Sequence, residues 1–437
     1  MTVDQSSPAA KPEAAARGPV TRRQAWTIVV LLFTFLLLNY ADKAIVGLAG
    51  VEMMRDLRID ASQFGLMQSA FFWLFAVGAI LGGYFVGKVP ARWLLGGVAL
   101  LWTLSLVPMI WSTSFTVLII TRILLGFAEG PSAAMAFSVT HTWFAPEKRA
   151  LPTSIVGAGV AVGPVVAAPV ITALITSFDW HAAFAVAAVA GALFVVAWLL
   201  LGREGPEVAG HQQSSIALLP EHVPFRRLLF SGTVIGVTVL FFATFCTAAT
   251  KISWLPLALR QGAGYDAKTA GWLVSLTYLL SAVLMIAFGA VSRAMTKRGM
   301  SVRAARGLLP CALVTVGGLS TSVWMVPERG PLQIALLVVG AALVVGAQGV
   351  AWTLISDVVP ATQRGTVIGI IVACYSMGGV LAPLMLGGFV TGSATPLAGY
   401  QSGFALLGGI LIVAGVIGAL LIKPERDVAA MSAAAGR

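Results

Sequence analysis

Two pairs of charged residues stand where charge is costly. Asp42 and Lys43 close the segment Asn39-Tyr40-Ala41-Asp42-Lys43 near the end of a long apolar run, and Arg122 and Glu129 interrupt a second one. A charge inside a bilayer span costs roughly 2.5–3.5 kcal/mol on insertion scales, so such residues are rare and mark function. The chemistry open to two acids and two bases in lipid is carriage of a charged solute, with protons moving on the acids. Arg122 and Glu129 are seven residues apart, two helical turns, which puts them on one helix face about 10 Å apart along the axis. Asp42 lies sixteen residues past Trp26, ~24 Å up an outward-running helix at 1.5 Å per residue, close to the depth of Arg122. An Asp42–Arg122 pair is therefore expected if the two spans adjoin. Lys43, rotated ~100° from Asp42, faces elsewhere, toward a central cavity. Glu129, near the midplane and desolvated, is the first candidate to load and release a proton.

These residues need a membrane-embedded scaffold, and the composition supplies one. The chain has 437 residues, 58% hydrophobic and only 10% charged, with a mean hydropathy of +0.92. Soluble domains carry about 25% charged residues, so a water-soluble globule is excluded. No cleavable signal peptide is expected, because the apolar core starts only at Trp26 and runs too long for an h-region. The net charge of +11 is spread over many short loops and reads as topology, not as a nucleic-acid surface. Cys246, Cys311 and Cys374 sit in separate apolar runs without metal or redox spacing, so no metal or other cofactor is expected.

Stretches long enough to cross a ~30 Å core recur twelve times, near 26–48, 64–87, 93–112, 115–141, 151–176, 180–202, 228–258, 269–292, 306–326, 331–356, 365–390 and 401–422. The expected architecture is an all-α membrane protein of two six-helix bundles, 26–202 and 228–423. A polar linker at 203–227 joins them, and tails at 1–25 (disordered) and 424–437 flank them. With the amino terminus inside, the inner segments hold twenty Lys and Arg and the outer ones five, Arg55, Arg58, Arg260, Lys268 and Arg329. That bias puts both termini in the cytoplasm and the chain in the inner (cytoplasmic) or plasma membrane, as a multi-pass protein.

Twelve spans, a central loop and cytoplasmic termini resemble the layout of major facilitator superfamily transporters. The loop after the second span usually reads Gly-x-x-x-Asp-Arg-x-Gly-Arg in that superfamily. Here Gly83-Tyr-Phe-Val-Gly87-Lys88-Val-Pro90-Ala-Arg92 keeps the first glycine and the bases and lacks the acid, as does Gly289-Ala-Val-Ser292-Arg293 in the second half. Within the superfamily the chain resembles the anion:cation symporter family. The resemblance rests on Asn39-Tyr40-Ala41-Asp42-Lys43, on Arg122-Ile-Leu-Leu-Gly126-Phe-Ala-Glu129-Gly130-Pro131, on Trp143-Phe144-Ala-Pro146-Glu-Lys-Arg149, and on Pro360-Ala-Thr-Gln-Arg364-Gly365-Thr-Val-Ile-Gly369.

The resemblance implies a proton-coupled symporter of small organic anions, with Asp42 as a second proton carrier beside Glu129. Lys43 and Arg122 would be the anion-facing bases. The alternative is that Asp42–Arg122 and Lys43–Glu129 are structural ion pairs holding spans together. Lys43 replaces the family's arginine, exchanging a planar fork for a point charge. Lys251, near the outer end of the seventh span, either reaches the cavity as a further anion contact or snorkels to the interface. Asn39, Tyr40, Tyr278, Gln348, Trp352, Tyr375 and Ser376 complete the candidate substrate-binding set, on spans that line the pathway in this superfamily. Sugar-acid carriers of the family tend to have tyrosine where this chain has Phe75, and polar residues where it has Ala158 to Val162. Fewer hydroxyl partners disfavour polyols, so an aromatic or short aliphatic carboxylate is expected over a sugar acid.

The first rival is a proton-coupled exporter of drugs or metabolites. Gly159-x-x-x-Gly163-Pro164 is part of an antiporter signature, but Ala167 and Ala168 replace its closing glycines. An intramembrane enzyme would need a Ser–His or paired-Asp site, and His141, His181, His211 and His222 all lie near span ends or in loops. A sensor would want a long soluble domain. Expected partners are thus the anion, protons and the lipid bilayer, with no nucleic acid and no obligate protein partner.

Overall fold

The computed structural model describes residues 22–86, 88–111, 114–144, 148–205 and 223–435. Residues 1–21 of the tail expected to be disordered, linker residues 206–222 with His211 and His222, and the motif positions Gly87 and Pro146 lie outside them. The last four residues of that tail, Arg22 to Ala25, are not disordered but form the first turn of α1, which starts one turn before its apolar run. Twelve of the described helices are long and apolar enough to cross a membrane. In the first half they are α1 (Arg22–Leu48), α2 (Ala61–Phe85), α3 (Ala91–Ile110), α4 (Phe115–Trp143), α5 (Leu151–Ser177) and α6 (Trp180–Leu201). The second half holds α7 (Gly232–Ser253), α8 (Ala267–Lys297), α9 (Arg303–Val323), α10 (Pro331–Val358), α11 (Thr362–Gly392) and α12 (Pro396–Leu421). A final helix, Pro424–Ala435, occupies most of the segment expected as a plain tail.

The helices form because runs of apolar residues can satisfy their backbone only internally in lipid, and several begin at polar caps. Asp60 accepts from the Gln63 amide at 2.7 Å while its own amide donates to Gln63 Oε1 at 3.0 Å, a capping box at the mouth of α2. Asp266 accepts from the Thr269 amide and hydroxyl at the start of α8. Many large apolar side chains point outward, among them Leu193 (67% exposed), Trp111 (68%) and Ile286 (73%). Such a belt suits lipid and would be an aggregation surface in water.

Within the first half α1 packs along α5, and α3 along α6; in the second, α8 packs along α10 and α9 along α12. The two halves meet through α2 against α11, α5 against α8, and α1 against α7. The α1–α5 seam depends on Gly159 and Gly163, where an added methyl would lie 2.6 Å from the Phe33 carbonyl and 2.5 Å from that of Leu37. Small residues at one-turn spacing let the backbones close up. The glycines that form part of an antiporter signature in the sequence thus make the groove in which α1 lies, one turn below Tyr40.

The halves are fastened at the end of the bundle where α1 leads into α2. Arg260 donates to both oxygens of Glu52, at 2.8 and 2.6 Å, and the Ser62 amide and hydroxyl meet Thr391 Oγ1 at 3.0 Å. Further in, Ser275 donates to the Val165 carbonyl at 3.0 Å. Toward the opposite end, a cavity of about 720 Å³ lies between α8 and α10, lined by residues that include Ile286, Gly289, Arg293, Lys297 and Thr353. It contains none of the charged residues of α1 and α4.

Candidate functional site

The four charges of α1 and α4 form one electrostatic network. Asp42, Arg122 and Glu129 are each 2% exposed, although all lie in apolar helices. Lys43 Nζ makes an ion pair with Glu129 and also donates to Asn39 Oδ1 at 2.7 Å and to the Asn39 carbonyl at 3.2 Å. It lies 4.2 Å from the centre of the Tyr40 ring, a cation–π distance. Asp42 and Glu129 interact with both bases and with each other. Helical spacing accounts for this cluster: Asn39 and Lys43 are one turn apart on α1, and Arg122 and Glu129 are two turns apart on α4.

The expected Asp42–Arg122 ion pair is not formed. Trp102 of α3 donates its indole N–H to Asp42 Oδ2, and among the described residues no ion pair joins Asp42 to Arg122. The reason lies in the packing: the part of α4 that lies along α1 is its second half, Ser132–Trp143, while α3 packs on the Arg122 half. An indole therefore takes the position expected for the guanidinium. Arg122 Nε and Nη2, Asp42 Oδ1 and Asn39 Nδ2 are consequently buried without hydrogen-bond partners. Buried polar groups are nearly always paired, so the unmet donors of Arg122 and Asn39 and the unmet acceptor of Asp42 set this network apart from an ordinary helix seam.

Lys251 does not snorkel. It is 6% exposed, its ammonium 3.9 Å from the Tyr278 ring centre and 3.3 Å from Ser281 Oγ, with no carboxylate in ion-pair reach among the described residues. Gln348 donates to Thr244 Oγ1 at 2.8 Å. Trp352 stacks on Phe241 with centroids 4.3 Å apart, and Tyr375 packs on Phe245 at 4.6 Å. Phe245 in turn meets Phe72 of α2 at 5.6 Å, and Phe72 meets Phe75 at 6.0 Å. An aromatic wall therefore runs from α2 of the first half across to α7, α10 and α11 of the second. Ser376 is set apart from these: it is buried, and its hydroxyl bonds the Val372 carbonyl of its own helix at 2.7 Å.

Three contributors escaped the sequence. Trp102 reads as one more aromatic in an apolar span, and only its indole N–H, which needs an acceptor when buried, hinted at a role. Glu52, in the short helix Gly50–Leu57 after α1, and Arg260, in the helical turn Ala258–Gly262 after α7, are 208 residues apart, and nothing in the sequence pairs them. The bases of the first acid-less loop find other partners: Lys88 lies over the Tyr84 ring and Arg92 donates to the Leu199 carbonyl. In the second half Arg306, near the start of α9, bonds Asp357 at 2.6 Å.

Two six-helix halves of apolar helices, the first with a charged network buried inside it, define a multi-pass membrane protein. The profile of the Major Facilitator Superfamily matches residues 31–383, and the chain belongs to that superfamily. It is 24% identical over 404 residues to the hexuronate transporter of Bacillus subtilis (strain 168), covering 90% of this chain and 94% of that protein. It is 25% identical over 439 residues to a probable galactarate/D-glucarate transporter of the same organism, covering 92% and 94%. To the D-galactonate transporter of Escherichia coli O6:H1 it is 24% identical over 410 residues, covering 89% and 94%. Among solved structures, an inward-facing bacterial homologue of the human lysosomal transporter Spinster superposes with a TM-score of 0.79 at 16% identity, over 93% of this chain and 99% of that one. A D-xylose–proton symporter gives 0.72 at 17% identity, over 92% and 99%. The relatives by sequence are named for sugar acids, and membership of the superfamily makes this chain a transporter and not an enzyme.

Proposed function

We propose that the chain is a proton-coupled symporter that imports a small organic anion by alternating access. The observation that carries this reading is the Lys43–Glu129 pair beside the unpartnered Nε and Nη2 of Arg122, with Glu129 and Arg122 buried and Lys43 half-buried. A proton arriving on Glu129 cancels its charge and releases Lys43. The freed ammonium and the Nε and Nη2 donors of Arg122 then hold the carboxylate of the solute. Loss of the proton on the other side restores the carboxylate, which recaptures Lys43 and expels the anion. Asp42, held by Trp102, is the second proton carrier.

The Lys and Arg bias puts both termini in the cytoplasm, so the Glu52–Arg260 and Ser62–Thr391 contacts close the outer face. Asn39, Tyr40, Tyr278, Gln348, Trp352 and Tyr375 surround the solute's body. The aromatic wall through Phe72, Phe75 and Phe245 offers few hydroxyl partners, which favours an aromatic or short aliphatic carboxylate over the sugar acids for which the relatives are named.

The test is uptake into proteoliposomes of labelled sugar acids, aromatic acids and short aliphatic acids, with and without an inward proton gradient. Gradient-stimulated uptake of a carboxylate is the expected result. Absence of carboxylate uptake, with lipophilic cations moving against the gradient, would replace the symporter by an exporter.

A further inference from the structure

Lys251 is a buried lysine with no carboxylate in ion-pair reach among the described residues. Burying an ammonium costs several kcal/mol per ion unless a counter-charge and hydrogen bonds repay it. Its surroundings offer one ring face and one long hydrogen bond, to a serine whose own hydroxyl proton goes to the Thr277 carbonyl at 2.5 Å. Ser281 therefore accepts from Lys251 and cannot neutralise it. The charge of Lys43, by contrast, is met by Glu129.

The two lysines hold matching places in the two halves. Lys43 is the 22nd residue of α1 and Lys251 the 20th of α7, the first helix of each half. The two helices touch at Gly47, whose added methyl would overlap the Ile252 carbonyl. Lys43 lies one turn before that contact, ~6 Å along α1, and Lys251 one residue before it on α7. Each ammonium also rests on a tyrosine ring, Tyr40 and Tyr278.

We infer that Lys251 is the second anchor of the substrate site, and that the site selects dicarboxylates with an apolar body: one carboxylate goes to Lys43 and Arg122, the other to Lys251. This rests on the symporter reading for its first anchor. It adds that the second half supplies a charge of its own, and that the solute bridges the halves at the α1–α7 contact. The aromatic wall, which reaches α7 at Phe245, six residues before Lys251, accounts for the apolar body.

Binding is measured by calorimetry on the purified full chain in detergent, with three matched pairs of acids: terephthalate and benzoate, adipate and hexanoate, galactarate and galacturonate. The wild type should bind the diacid of an apolar pair at least about tenfold more tightly than its monoacid, as a charge-assisted contact of 1.5–3 kcal/mol requires. Lys251→Met, which keeps length and removes an unpaired charge, should bring that ratio close to one, and Lys251→Arg should preserve it. A thermal unfolding curve for each variant separates lost folding from lost selectivity. An unchanged ratio in folded Lys251→Met overturns the inference, as does a wild type that prefers monoacids. Preference for galactarate over terephthalate and adipate would overturn the apolar body. Proton-driven uptake by the same preparations separates the two readings. Lys251-dependent selectivity without gradient-stimulated uptake defeats the symporter alone; such uptake with an unchanged ratio defeats the second anchor alone.

Discussion

The first half of this transporter concentrates its ionisable groups, while the second disperses them among aromatic rings. In α1 and α4, two acids and two bases interact in one buried network, so a proton on one changes the partner of another. In α7, α8, α10 and α11 there is one buried ammonium, an amide–hydroxyl contact and a series of stacked rings. The contrast follows from what each chemistry can do in low dielectric. Charges exchange partners at high energy and suit coupling; rings offer area and shape, with weak dependence on protonation, and suit recognition. A solute held between the halves would thus meet its energy source on one side and its selectivity on the other.

The largest expected effect is the one that would collapse this division. Glu129→Gln keeps the shape and removes the proton site, so gradient-driven net uptake should fall to the level of protein-free liposomes. Exchange of labelled for unlabelled anion across the same membranes should persist, and should lose its dependence on pH. If net uptake survives, coupling lies elsewhere and the first half is not the energised one.

Lys43 sharpens the point. Lys43→Met leaves the Glu129 carboxylate buried without a counter-charge, and breaking a buried pair costs about 3–5 kcal/mol. The expected reading is a clear drop in the unfolding temperature of the detergent-purified protein. Adding Glu129→Gln to the same chain should recover most of that stability without recovering uptake. A double variant as unstable as the single one would mean that the lysine acts through its contacts with Asn39 or Tyr40 instead of through the pair.

On the other side of the comparison, Trp352→Ala removes a ring stacked on Phe241. Aromatic pairs contribute about 0.5–1.5 kcal/mol beyond the area they bury, so the apparent KM for the anion should rise several-fold. The number of protons carried per anion, read from reversal potentials, should not change. A changed stoichiometry would show that the second half takes part in coupling.

Much of this arrangement was legible in the sequence because lipid imposes strong rules. Twelve apolar runs had to be helices, and charges within them had to be conspicuous, so α1 through α12 and the residues Asp42, Lys43, Arg122 and Glu129 could all be picked out. Partners were less legible. The depth argument brought Asp42 level with Arg122 but could not register that α3 intervenes, because helix order around a bundle is not encoded in hydropathy. Trp102 took the place of the arginine for that reason. Lys251 was equally compatible with snorkelling outward or facing inward, since its position along α7 leaves its rotation open; the structure buries it against Tyr278 and Ser281 of α8. The Glu52–Arg260 contact was out of reach, because it joins two short helical segments that only the docking of the halves brings together.

That contact supplies the smallest predicted effect. Arg260 and Glu52 side chains are 18% and 20% exposed, and their forked geometry is of the specific kind, yet solvent still screens them. Pairs of this sort contribute around 1 kcal/mol or less, against a network in α1 and α4 whose rearrangement involves several. Arg260→Gln should therefore shift the balance between closed and open outer faces by no more than about fivefold. Spin labels at the outer ends of α2 and α11 would read the shift as a larger share of the long-distance population, with net uptake still proton-driven. Because Ser62 and Thr391 fasten the same rim, the closed population should not vanish. If it did, the outer rim and not the buried network would set which face is open, and control of the cycle would lie between the halves instead of inside the first one.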